Sequence, residues 1–189
     1  MQRARFVDEP PELLNAAAAV LADGGVRGFT LDRVATVAEI SRATLWRRGV
    51  TVERLLDGLL QRLSEDYRAT MWPVLTANAS AAQRLERVLS ALCEIADRHL
   101  PILQADDQLF HLADGRNPGA FVEPLERLLR DGAVDGSTDP DQDPEELAMT
   151  LFNTVVWSFV HLRSRHGWTA RRAAENVTRL ALHGASRPG

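Results

Sequence analysis

Residues 24–57 read GGVRGFTLDRVATVAEISRATLWRRGVTVERLLD, and the rest of the chain is best understood outward from them. Thr30 stands where a helix N-cap belongs, followed by Leu31, Val34, Ala35 and Ala38 on one side of a short helix. Glu39 and Ile40 make a turn. Ser41 is a second N-cap, and residues 42–48 form a helix of two turns that Gly49 stops. Thr51 caps the next helix, whose stripe of Val52, Leu55, Leu56, Leu59, Leu60 and Leu63 runs to about Trp72, before Pro73.

Two short helices about a tight turn form a helix-turn-helix if apolar residues lock them together and the second helix turns polar groups outward. Val34, Ala38, Ile40 and Leu45 supply the lock. Positions 42, 43, 46 and 47 share one face, with Leu45 on the other. Eight residues at about 1.5 Å each give roughly 12 Å, a length that suits the major groove of DNA. Arg42 and Arg47 are then candidates for base edges or phosphates, and Ala43 permits close approach. Trp46 can pack on the sugar-phosphate backbone or a thymine methyl, while Thr30, Ser41, Thr44 and Arg48 are placed for phosphates.

Charge supports this reading once it is counted by region. The chain as a whole is acidic, with net charge -4 and a pI near 5.7 over 189 residues. Residues 27–54, however, hold six Arg against Asp32, Glu39 and Glu53, a net +3. From Pro73 onward 12 Arg face 16 acids. A cationic head on an acidic body fits phosphate binding at one end. All 22 basic residues are Arg, which composition bias explains without any mechanism.

Outward from this core, residues 11–23 form a first helix with Leu13, Leu14, Ala17, Val20 and Leu21 at spacings of three and four, ended by Gly24 and Gly25. After Pro73 come a strongly periodic helix over 81–99, an irregular segment over 102–113, a helix over 121–130, an acidic Gly- and Pro-rich stretch at 131–144 expected to be a mobile loop, and helices over 145–165 and 169–183. No segment alternates with period two. The expected fold is all-α with about nine helices: a helix-turn-helix domain at 1–50 and a helical regulatory, ligand-binding and dimerisation domain at 51–189.

The quoted stretch, FTLDRVATVAEISRATLWRR, preceded by LLNAAAAVLADGG and followed by VERLLDGLL, resembles the DNA-binding domain of the tetracycline-repressor-like (TetR) family of transcription regulators across residues 11–60. The resemblance implies that Thr30, Ser41, Arg42, Ala43, Thr44, Trp46 and Arg48 face DNA. It also implies a homodimer on a palindromic double-stranded operator and a C-terminal pocket whose small-molecule ligand releases the DNA. Three sites, five positions in all, depart from the family's pattern. Glu39 stands where Gly is usual and must either take positive φ or form another turn. Gly49 replaces an aromatic residue, and Val50, Thr51 and Val52 replace a Pro-Ser-Lys cap, so a phosphate-contacting Lys is missing, for which Arg48 and Arg54 are the available substitutes.

In the second domain, Met71, Trp72, Leu92, Phe110, His111, Phe121, Phe152, Trp157 and His161 are candidates to line an apolar cavity, with the two His as polar anchors. The alternative is that they are ordinary core. Leu151, Val155, Phe159 and Leu162, with Ala173, Ala174, Val177 and Leu180, form stripes on the last two helices that would build a four-helix bundle across a twofold axis, unless a single chain uses those faces itself.

Other function classes find little support. Cys93 excludes an internal disulfide and paired-Cys zinc sites, and its nearest base, His99, is on a poorly aligned face. Scattered His argue against a metal, and no cofactor or enzymatic activity is expected. No apolar run is long enough for a membrane span and the N-terminus lacks a signal-peptide core, so a cytoplasmic protein is expected. The reading is a ligand-responsive regulator, a repressor released by a small apolar or amphipathic effector. Its alternative is a small-molecule or protein-binding module on the same fold with weakened operator recognition.

Overall fold

A computed structural model describes residues 9–105 and 119–184. Among the described residues every regular element is helical: α1 (Pro11–Gly24), α2 (Leu31–Val37), α3 (Arg42–Arg47), α4 (Val52–Leu75), α5 (Ala81–Arg98), α6 (Leu100–Ala105), α7 (Gly119–Asp135), α8 (Pro144–His166) and α9 (Ala170–His183), with one 3-10 turn at Val26–Gly28. The all-α expectation of about nine helices is borne out. None of these helices is long and apolar enough to cross a membrane.

Contacts divide the described residues into two compact units, each discontinuous in sequence: residues 9–65 with 99–105, and 66–98 with 119–184. Helix α4 contributes to both, its residues 52–65 to the first and 66–75 to the second.

In the first unit α1 buries Leu13, Leu14, Ala16, Ala17, Val20 and Leu21. Gly58 marks how closely α4 approaches α1, since a Cβ there would lie 2.7 Å from a Leu14 methyl. Phe29, Val34, Ala35, Leu45, Val50, Leu55, Leu59, Leu60 and Leu63, with Ile102 and Leu103 of α6, are buried in the same unit. The short helices start at hydroxyl caps: Thr30 Oγ1 accepts from the Arg33 amide at 3.4 Å, Ser41 Oγ from the Thr44 amide at 3.1 Å, and Thr51 Oγ1 from the Arg54 amide at 3.2 Å.

In the second unit α5 turns Leu85, Val88, Leu89, Leu92, Ile95 and Ala96 inward, as its period of 3.6 predicts. It packs against α7, α8 and α9. Asp97 of α5 pairs with Arg163 of α8 at 2.6 Å, and the same guanidinium donates to the Trp168 carbonyl at the α8–α9 corner. Arg172 lies 3.9 Å over the Trp168 ring.

Two expected boundaries move. Helix α4 passes through Pro73 to Leu75, forgoing the one intrahelical bond that an amide at position 73 would have donated to residue 69. The acidic stretch at 131–144 is not a loop from its start: 131–135 finish α7, and the remainder is held by hydrogen bonds. Thr138 Oγ1 donates to the Leu129 carbonyl, and the Asp135 carboxylate accepts from the Ser137 amide and, at 3.1 Å, from the Ala81 amide that opens α5. The Ser137 hydroxyl above all, and with it the Ala81 amide, holds the Asp135 carboxyl below its ordinary range.

Candidate nucleic-acid interface

Helix α3 is anchored by one side chain. Leu45 is 1% exposed, whereas Ser41, Arg42, Ala43, Trp46, Arg47 and Arg48 are exposed and Thr44 is half-buried. Trp46 stands 81% exposed, although an indole of that size ordinarily gains by burial. Thr30, at the start of α2, is also exposed. The predicted outward face of the second helix is therefore present, and its polar residues share it.

Glu39 resolves the question of the turn. It adopts φ 54°, the left-handed conformation that glycine takes without strain, and the Ile40 amide donates to the Ala35 carbonyl across it at 3.0 Å. Gly49 repeats the conformation at φ 64° beyond α3, with the Val50 amide bonded to the Leu45 carbonyl at 3.1 Å.

The arginines of this region divide into two groups. Arg33 pairs with Asp23 and donates to the Gly28 carbonyl at 3.1 Å, tying α2 to the end of α1. Arg42 gives its Nη1 to both oxygens of Asp32 on α2, at 2.7 Å each, with both side chains largely exposed. Arg54 donates from Nη1 to the Gly49 carbonyl at 3.0 Å and pairs from Nη2 with Glu9 at 2.7 Å. Arg54 is thus committed to holding the end of α3 and does not supply the charge of the missing Lys. Arg27, Arg47 and Arg48 make no ion pair among the described residues. None of the three acidic partners was legible in the sequence; Asp32 shows there only as part of the charge count, and nothing local marks Asp23 or Glu9.

The candidates for a cavity lining scatter. Phe121 and Phe152 lie with ring centroids 6.5 Å apart, and Tyr67 meets Phe121 edge-on at 4.8 Å while donating its hydroxyl to the Phe121 carbonyl at 2.8 Å. Burial pushes the Tyr67 phenol above its ordinary range. Tyr67 was not among the expected residues, though it extends the α4 stripe by one turn beyond Leu63. Met71 and Leu92 are buried and Trp157 is half-buried. Trp72 is a correction: it is 70% exposed, because one helical step of about 100° beyond buried Met71 turns it to solvent. His161 is another, exposed and packed edge-on against His166 at 5.1 Å. Phe110 and His111 lie outside the described residues.

Five of the eight interface candidates need correcting as well. Leu151, Val155, Phe159, Ala173 and Val177 are buried within one chain, since α8 and α9 pack on each other and on α5. Leu162 and Ala174 are half-buried, and Leu180 is 54% exposed. What α8 and α9 leave outside includes Met149 and Leu180.

A helix-turn-helix with its second helix turned outward, on an otherwise helical chain, is the architecture of TetR/AcrR regulators. A TetR/AcrR-family transcriptional regulator from Thermobifida fusca superposes with a TM-score of 0.70 at 18% identity, covering 93% of this chain and 97% of that one. The regulator FadR from Bacillus subtilis, solved in complex with stearoyl-CoA, superposes with a TM-score of 0.74 at 16% identity over 93% of this chain and 98% of its own. In sequence, the chain is 24% identical over 187 residues to the HTH-type transcriptional repressor KstR2 of Mycobacterium tuberculosis, spanning 94% of this chain and 93% of that protein. No protein-family model matches. The chain has the fold of the TetR/AcrR regulators, and the resemblance carried by residues 11–60 extends along nearly its full length. These similar proteins are regulators rather than enzymes.

Proposed function

We propose that this protein is a cytoplasmic, ligand-responsive transcriptional repressor that binds a palindromic operator as a homodimer and is released by a small apolar or amphipathic effector. The observation that carries the reading is the contrast on α3 between buried Leu45 and the exposed Arg42, Trp46 and Arg47. Guanidinium groups sit in water on any protein surface, but a large indole held beside them forgoes its burial energy unless a partner covers it. The residues assigned to DNA are Thr30, Ser41, Arg42, Ala43, Thr44, Trp46, Arg47 and Arg48. The aromatic cluster of Tyr67, Phe121 and Phe152 is the part of the second unit best suited to an apolar ligand, and stearoyl-CoA in the Bacillus subtilis FadR is an amphipathic ligand of the proposed kind. Release follows from a ligand that favours the conformation unable to bind DNA.

The test is a gel-shift titration of the purified full chain against duplexes tiled across the DNA upstream of its own gene, with and without stearoyl-CoA or free stearate. One duplex bound well above the others, and released by one of these ligands, is the expected result. Equal affinity for every duplex, falling steeply with salt, defeats operator recognition. It would favour the second reading, a small-molecule or protein-binding module on the same fold. The negative charge of Glu39 at the turn and the absence of a Lys at position 52 favour that reading.

A further inference from the structure

Resting on the DNA-binding reading above, we infer that Asp32 is a specificity-determining residue, acting through Arg42 to favour base contacts over indiscriminate phosphate contacts. The geometry is particular. Both Asp32 oxygens lie 2.7 Å from one nitrogen, Nη1 of Arg42. A guanidinium has five N–H donors, and the two on Nη1 are the ones engaged. The two on Nη2 and the one on Nε remain, enough for the paired acceptors O6 and N7 that guanine presents in the major groove.

The electrostatics separate the two kinds of target. A phosphate offers Arg42 another anion, so to gain a full ion pair it must compete with a carboxylate already in place. A guanine edge is neutral and adds its two acceptors without displacing Asp32. Because the pair joins α2 to the first residue of α3, it also fixes where a long side chain sits before DNA arrives, reducing the freedom lost on binding. The side chains of Arg42 and Asp32 are 71% and 63% exposed, so the pair contributes little to folding and its role is separable from stability.

The test compares the full-length wild type with Asp32→Asn, Arg42→Ala and the double variant. Each is titrated over a salt series against the best-bound upstream duplex and a scrambled duplex of equal length. Asp32→Asn is expected to raise affinity for scrambled DNA about three- to tenfold and to steepen its log K against log salt slope by about 1, as one further cation becomes free for phosphate. Affinity for the best-bound duplex should rise less, so the ratio of the two falls, and the change in ratio should vanish in the Arg42→Ala background. The melting temperature should not move. Equal gains on both duplexes, or an effect that persists without Arg42, would show mere loss of a negative charge near the backbone and overturn the inference. If no upstream duplex is preferred by the wild type, the operator reading fails, while the slope on scrambled DNA still judges the pair: an unchanged slope in Asp32→Asn overturns it.

Discussion

Arg54 reaches back from the first turn of α4 to Glu9, its Nη2 lying 2.7 Å from a carboxylate whose side chain is only 4% exposed. The contact carries charge without an aligned hydrogen bond to that oxygen, while Nη1 of the same guanidinium donates to the Gly49 carbonyl past the end of α3. One side chain therefore ties the segment ahead of α1, the terminus of α3 and the start of α4. Removing it by Arg54→Ala leaves a buried carboxylate without a counter-charge. The expected cost is about 2 kcal/mol, below that of a fully buried pair because Arg54 is itself 41% exposed. Arg54→Lys should recover only part of this, since a single ammonium cannot reproduce a two-nitrogen fork. Urea denaturation of the three proteins measures it, and an Arg54→Ala midpoint equal to wild type would refute the role.

Glu39 is the one non-glycine residue at positive φ among the described residues. An L side chain in that conformation costs roughly 1–2 kcal/mol, part of which glycine returns through the greater freedom of its unfolded chain. Glu39→Gly should therefore stabilise the protein by about 0.5–1 kcal/mol, a rise of roughly 1–4 °C in melting temperature for a chain of this size. It also removes a negative charge beside α3, so on the proposed DNA-binding role affinity for any duplex should increase. A drop in melting temperature by circular dichroism would count against strain at this residue.

The helices were legible because their cues are local. Caps at Thr30, Ser41 and Thr51 and stripes such as Leu85, Val88, Leu89 and Leu92 need only a window of a few residues. The outward face of α3 was legible for the same reason: once Leu45 is fixed inward, a step of about 100° per residue sets Trp46 and Arg47. What the sequence did not disclose depends on long-range pairing. Arg54 could have been a free charge beside DNA until Glu9, 45 positions earlier, was seen to hold it. The apolar stripes of α8 and α9 suit a partner helix from the same chain as well as one from another copy, and Leu151, Phe159 and Val177 proved to be used within the chain. Trp72 looked like cavity lining by residue type, yet its angular position beside Met71 turns it outward.

Neighbours on α3 should respond to substitution in opposite ways. Trp46→Ala removes a side chain that is 81% exposed, so stability should change by no more than about 0.5 kcal/mol while duplex affinity falls several-fold. Leu45→Ala empties a fully buried position and should cost about 2–4 kcal/mol. Measuring melting temperature and gel-shift affinity on both variants separates the roles. A Trp46→Ala protein that melts early but binds normally would place the indole in the fold instead of at the interface.

Cys93 gives the stability a defined alkaline limit. Burial pushes its thiol up to about 12; the Thr178 hydroxyl, itself without an aligned partner, draws it partly back, and the Glu94 charge adds to the rise. The folded state thus holds this proton to a higher pH than the unfolded chain, whose thiol titrates near 8.5. A group with a raised folded pKa contributes stability that is fully present below its unfolded pKa and is lost as pH rises through the folded one. Urea midpoints should therefore be flat in this respect up to about pH 8 and decline above it, by on the order of 1 kcal/mol per pH unit from Cys93 alone. Cys93→Ala should flatten the decline between about pH 8.5 and 10, while Tyr67→Phe, which removes the other buried and raised group, should act only above about pH 10. The native thiol should also react slowly with a disulfide reagent at pH 8, where almost none of it is thiolate. Rapid labelling under those conditions, or a midpoint whose alkaline slope is the same with and without the sulfur, would mean that this side chain is in contact with water in the folded protein.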